Sequence, residues 1–156
     1  FIYQLYLIFK TKVRKQKDIY YKYIVFSIIN FIIALVLVCF YFVLSNDYLL
    51  FISGFIFLLG FLTPIITAHL YKIIPFLVWF HRFSSLVGKQ KVPMLADMVP
   101  VKSSDFGFAF YLLGFILSLI AFIFSSDILF KSAVSFLFVG TSFIVKDVFY
   151  IINFKG

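Results

Sequence analysis

The sequence predicts an all-α integral membrane protein: four transmembrane helices as two tight hairpins, with the second helix long and proline-kinked. Three observations carry that expectation. Of 156 residues, 64% are hydrophobic and 13% charged, against about 45–50% and about 25% in an ordinary soluble domain. The 25 phenylalanines would leave large exposed apolar patches on a water-soluble fold of this size, and the mean hydropathy is +1.13. Four segments also reach or approach the roughly 20 apolar residues that a helix needs to cross a bilayer.

Taken in order, Phe1–Phe9 is apolar but too short to span. It reads as an interfacial segment or the end of a helix from a longer polypeptide. It lacks the basic region and cleavage site of a signal peptide. A basic stretch follows, with Lys10, Lys12, Arg14, Lys15, Lys17 and Lys22. The first span is Ile24–Leu44, interrupted only by Ser27 and Asn30, and the turn Ser45-Asn46-Asp47 carries no cation. The second helix is expected over residues 48–80, the third over 106–124 and the fourth over 128–152. Ser125-Ser126-Asp127 joins the last two. Such short turns make each pair antiparallel neighbours.

Charge sets the orientation. Fourteen Lys+Arg stand against six Asp and no Glu, a net of +8. The excess lies in residues 10–22, in the 81–105 loop (Arg82, Lys89, Lys91, Lys102) and in the tail at Lys155. The positive-inside rule places these on the cytoplasmic side and the two Asp turns outside. The expectation is one bundle over 1–156, multi-pass in a bacterial cytoplasmic membrane. Its basic segments, including Gly88-Lys-Gln-Lys91, face anionic lipid headgroups, with no nucleic acid implied.

Small residues at helical spacing offer packing faces: Gly60, Thr63 and Thr67 on the second span, Gly107, Gly114 and Ser118 on the third. Such side chains let helices approach closely in lipid. These faces can satisfy each other or meet another chain. Asn30, Lys146 and Asp147 are the intramembrane polar residues. A hydrogen bond from Asn30 to the Lys146–Asp147 pair would fix helix order. A proton relay has little to build on with one acidic residue, and Lys131 can snorkel to the outer surface.

The second helix outlasts the bilayer. Tyr48 to His81 would measure about 51 Å as a straight helix, longer than the roughly 40–45 Å of a whole membrane. It is expected to run past Ala68 to at least Tyr71, then to bend or end near Pro75, which removes a backbone donor. Pro64 offers a second kink by freeing the Gly60 carbonyl. Tyr71, Trp79 and Arg82 suit the headgroup level. His69 and Lys72 share a face opposite Gly60, presenting an imidazole and a cation away from the packing side. Imidazole is an axial ligand for haem iron, and a cation can meet a propionate, phosphate or carboxylate. The alternative is an interfacial His beside a snorkelling Lys, with no cofactor.

The run Gly60-Phe-Leu-Thr-Pro64, His69-Leu-Tyr-Lys72-Ile-Ile-Pro75-Phe-Leu-Val-Trp79-Phe-His81, continued by Val92-Pro-Met-Leu, resembles the C-terminal region of bacterial polytopic membrane proteins distantly similar to haem–copper oxidase subunit I. Those oxidases hold two haems and copper with histidines from several helices. This chain has only His69 and His81, so the resemblance implies a single ligand role for His69, toward a haem b shared with other helices.

Other chemistry is sparse. Cys39 is the only cysteine, which excludes an internal disulfide and a Cys-based metal cage. Met94 and Met98 are four apart behind Pro93, a spacing that fits a greasy helix under the bundle or a Cu(I)-binding thioether pair. No Gly-rich phosphate loop, Ser/His/Asp set or carboxylate pair is present, so no catalytic constellation stands on this chain. The sequence thus leads to an accessory or structural subunit, or fragment, of a larger membrane complex linked to electron transport. The alternative is a b-type haem-binding electron-transfer subunit using His69. A transporter fragment with Pro-interrupted spans is third. Membrane lipids and additional membrane helices are the expected partners.

Overall fold

The computed structural model describes residues 18–154. The expectations for Phe1–Phe9, for the basic residues before Asp18 and for Lys155 lie outside the described residues. What is described is helical, with no strand among the described residues: α1 (Ile19–Leu44), α2 (Asp47–Phe55), a π-helical segment (Ile56–Leu62), α3 (Thr63–Phe83), α4 (Val101–Phe124) and α5 (Asp127–Ile152). Short 3-10 turns at Ser84–Leu86 and Leu95–Met98 punctuate the long connection. The stretch Asp47–Leu86 runs on through the π segment as a single span. Four helices are therefore long and apolar enough to cross a membrane.

At the two short Asp-bearing turns, helix limits follow the sequence pattern. Ser45 and Ser125 both stop their helices in the left-handed conformation at φ 48°, and the Ser45 N–H donates to the Tyr41 carbonyl. Asn46 Oδ1 accepts from Tyr48 N at 3.0 Å. Asp47 and Asp127 open the next helices, where a carboxylate complements the positive end of the helix dipole.

The other ends differ from the hydropathy pattern. α1 and α4 each begin five residues before the apolar runs at Ile24 and Phe106. Hydropathy marks where hydrocarbon stops, whereas backbone hydrogen bonding continues through amphipathic turns. Those added turns meet through the Lys22 Nζ–Asp105 Oδ1 ion pair at 2.7 Å. The third helical run also passes Tyr71, as expected, and continues through Pro75 and Arg82 to Phe83. Pro75 therefore does not end the helix. It forgoes one i→i−4 bond there, and turns on both sides maintain the ladder.

The lower core joins Ile19 and Tyr23 of α1, Ala68 and Tyr71 of α3, and Ile144 and Ile151 of α5. The upper core gathers Ala34, Ile56 and Phe115, with Phe26 and Phe55 against it. Outside these, large apolar side chains face outward along every span, with Phe138 72% exposed. That is the surface expected of helices solvated by lipid.

The two small-residue stripes serve different neighbours. A Cβ at Gly60 would stand 2.8 Å from Asn30 Cβ and 2.8 Å from Phe115 Cζ. Gly114 and Gly107 instead face α5, with the Leu137 backbone nitrogen 2.7 Å from a Cβ at Gly114. Ser118 and Thr67 are buried and return their hydroxyls to the Gly114 and Thr63 carbonyls of their own helices. Thr63 likewise bonds the Leu58 carbonyl at 2.9 Å.

Candidate functional site

Two places gather polar chemistry: the outer face of α3 at His69, and the lower interior at Asp147. Both arise because α3 carries neighbouring residues on different sides. Thr67, Ala68, Tyr71 and Pro75 are buried, whereas His69 and Lys72 are exposed.

His69 Nδ1 lies 2.7 Å from the carbonyl of Ile65, one turn earlier on its own helix. A carbonyl can only accept, so Nδ1 carries the hydrogen and Nε2 of the neutral ring keeps its lone pair. Tyr20 of α1 meets the imidazole edge-on at 5.9 Å between ring centroids. Lys72 Nζ lies 5.0 Å over the same tyrosine ring. The exposed histidine and lysine and the half-buried tyrosine therefore form one surface patch across α1 and α3. Its polar atoms are an imidazole acceptor, a phenol and an ammonium.

A cleft of about 960 Å³ opens beside this patch, lined by Asp18, Tyr20, Tyr71, Lys72, Trp79 and Asp105 among others. Trp79 Nε1 donates to the Pro93 carbonyl at 3.0 Å and ties the long connection to α3. The 3-10 turn there is capped by Asp97 Oδ2, which accepts from Met94 N at 3.0 Å. This turn separates the methionines: Met98 is buried, whereas Met94 is 70% exposed. They do not share a face, because the expected α-helical spacing is replaced by a short 3-10 turn. His81 is exposed beside Phe80, and Arg82 donates to the Phe154 carbonyl at 2.6 Å.

In the lower interior, Asp147 is fully buried. Its Oδ2 accepts from Tyr71 Oη at 2.8 Å, and its Oδ1 has no hydrogen-bond partner among the described residues. Tyr23, also fully buried, stacks on Tyr71 at 6.1 Å and meets Phe108 edge-on at 4.9 Å. Tyr23 Oη likewise has no partner. Lys146 is exposed, with Nζ 5.4 Å over the Phe143 ring.

The expected hydrogen bond from Asn30 to the Lys146–Asp147 pair is not formed. Asn30 Nδ2 donates instead to the Phe26 carbonyl at 2.8 Å. The reason is depth. Asn30 lies against Gly60, whereas Asp147 lies against Tyr71, eleven residues or about 16 Å farther along the same helical run. Because α1 begins at Ile19, Asn30 sits a turn deeper than hydropathy suggested. The tyrosines were the missed partners, and their only signal was aromatic residues at interfacial positions.

The π-helical segment has its own chemistry. Thr63 N–H bonds back to the Leu58 carbonyl, five residues earlier. In that register the Leu59 carbonyl would meet the nitrogen of Pro64, which has no hydrogen. Tyr111 Oη of α4 supplies the missing donor at 2.6 Å. Pro64 thus frees the Leu59 carbonyl, where α-helical counting points to that of Gly60. Ser27 Oγ of α1 donates to the Phe61 carbonyl of the same segment at 3.2 Å.

No group of three His, Cys, Asp or Glu side chains able to hold a metal ion comes together among the described residues. For a haem, the described residues supply one imidazole at His69 and no second histidine beside it. Comparison with protein-family models, with curated proteins and with solved structures finds no match for this chain.

Proposed function

We propose that the chain is an accessory membrane subunit, or part of one, that packs against further helices of a larger bacterial membrane complex through the His69/Lys72 face of α3. In this reading its spans form two hairpins, with the Asp47 and Asp127 turns outside and the long connection in the cytoplasm. The run Asp47–Leu86 holds 40 residues, about 60 Å if straight, which exceeds the roughly 40–45 Å of a bilayer. The lower part of α3 then bends at Pro75 along the interface or projects beyond it.

The observation that carries the proposal is the surface patch of exposed His69 and Lys72 around half-buried Tyr20. His69 stands about 33 Å along the helical run from Asp47, at the inner edge of the hydrocarbon. Polar and ionisable groups at membrane depth commonly face a bundle interior, a cavity or a partner; here Tyr20 of α1 covers one side of both side chains, and His69 and Lys72 are otherwise exposed. A second reading follows from the ring itself. With Nδ1 held by a backbone carbonyl, Nε2 is available as a ligand in the manner of metal-bound histidines. His69 would then help to hold a b-type haem together with a residue of an additional helix, and the group would supply one-electron transfer.

Native electrophoresis and a visible absorption spectrum of the full protein in mild detergent test both readings. An assembly larger than one chain, disrupted by Ile73→Trp beside Lys72, supports the subunit reading. A Soret band lost in His69→Ala supports the haem reading. A monodisperse single chain without absorbing cofactor overturns both.

A further inference from the structure

We propose that the cleft between α1, α3, α4 and the long connection binds one zwitterionic aminophospholipid, with its phosphate at Lys72 and its ammonium at Asp18. Depth is the first argument. Asp105, Lys72 and Asp18 stand about 30, 38 and 40 Å along their helices from the short turns at the opposite end of the bundle. Hydrocarbon of about 30 Å gives way to headgroups over that interval. The cleft, about 960 Å³ in volume, therefore opens at the level where a lipid carries its phosphate. Its size is that of a small-molecule site.

The walls all belong to this chain, and they are fastened. Trp79 Nε1 donates to the Pro93 carbonyl at 3.0 Å, Met98 is fully buried and Val99 packs against the lower core. Residues 93–99 are thus held against the bundle, and the cleft lies between them and the starts of α1 and α4. Phe76, Leu95 and Val101 line it and are also exposed. The apolar wall therefore continues onto the surface that lipid tails cover. Because no partner subunit is needed to complete it, the site stands or falls apart from the subunit reading.

Charge selects the headgroup. The charged side chains of the wall are Asp18, Asp105 and Lys72. Asp105 is already paired with Lys22 at 2.7 Å. Lys72 Nζ lies 5.0 Å over the ring of Tyr20, itself a wall residue, and has no carboxylate partner among the described residues. Asp18 is two residues before that tyrosine, and its side chain caps no backbone N–H. One cation and one carboxylate therefore remain to be matched. A phosphodiester offers charged acceptor oxygens to the lysine, and a primary ammonium offers N–H donors to the aspartate. An anionic headgroup without an amine would set its charge against two carboxylates. A quaternary ammonium has no N–H to donate. Only the amine-bearing zwitterion satisfies both groups.

The test is native mass spectrometry of the full protein in detergent. It is titrated with phosphatidylethanolamine, phosphatidylcholine and phosphatidylglycerol of identical acyl chains. The expected result is one phosphatidylethanolamine bound saturably, about tenfold more tightly than either other lipid. That comparison needs no variant to fold. Lys72→Gln should weaken phosphatidylethanolamine and phosphatidylcholine alike, because both carry the phosphate. Asp18→Asn should weaken phosphatidylethanolamine alone, to the level of phosphatidylcholine. Ala96→Trp, at an exposed position of the wall, should exclude all three lipids while helical circular dichroism stays unchanged. Phosphatidylglycerol bound as tightly as phosphatidylethanolamine, or unsaturable uptake of several lipids, overturns the proposal. Undiminished phosphatidylethanolamine binding in folded Ala96→Trp also overturns it, since the lipid would then lie outside the cleft.

Discussion

Gly114 and Gly140 are where α4 and α5 come closest, and each meets main chain across the interface. A Cβ at Gly140 would lie 2.7 Å from Tyr111 N and 2.9 Å from Tyr111 Cα. Backbone atoms cannot swing aside as a side-chain tip can, so the helices must separate and lose packing along their length. In lipid that packing is a principal attraction between helices. Gly140→Ala is expected to destabilise the protein by about 1–3 kcal/mol. Gly54→Ala, where a Cβ meets nothing within 4 Å, should leave stability unchanged or slightly higher through helix propensity. Reversible unfolding in detergent micelles distinguishes the two; equal losses would contradict the close-contact account.

Among the elements, the π-helical segment Ile56–Leu62 shows how one proline is accommodated inside a span. A helix in hydrocarbon must satisfy its carbonyls from within the protein. Pro64 withholds a donor from the Leu59 carbonyl, and Tyr111 of α4 provides one. The hydroxyl thereby ties α4 to the irregular turn of another span. Tyr111→Phe should cost about 1–3 kcal/mol, the penalty for a buried carbonyl left unpaired. Pro64→Ala restores an N–H that can reach the same carbonyl. The cost of Tyr111→Phe should therefore shrink in a Pro64→Ala background. Double-mutant unfolding measures this coupling, and strictly additive costs would rule out the shared carbonyl.

For the whole molecule, the decisive quantity is orientation. The short turns hold Asp47 and Asp127, while the described long connection carries Arg82, Lys89, Lys91 and Lys102. The proposed orientation follows the positive-inside rule, by which basic connections stay in the cytoplasm. With Cys39 replaced by Ala, a cysteine at Asn46 or Ser126 should react with an impermeant thiol reagent added to intact cells. One at Lys89 should react only after the membrane is opened. The reverse pattern would invert the topology and place the cleft beside Lys72 and Asp105 on the outer side.

By itself the sequence determined the medium and the spans. Composition and apolar run length announce a membrane protein with four spanning helices, because the bilayer imposes a length and polarity that any one segment must meet alone. His69 and Lys72 were legible as a shared face for the same local reason, since three residues nearly complete one helical turn. Which groups meet across the bundle was decided only by tertiary structure. Asp147 finds Tyr71 rather than Asn30, Tyr111 finds Leu59, and Gly140 receives the backbone of Tyr111. Each pairing depends on the relative depth and rotation of two helices, which a lipid solvent leaves nearly degenerate in hydropathy. Close packing and unsatisfied backbone groups make that choice, and they exist only once the helices are together.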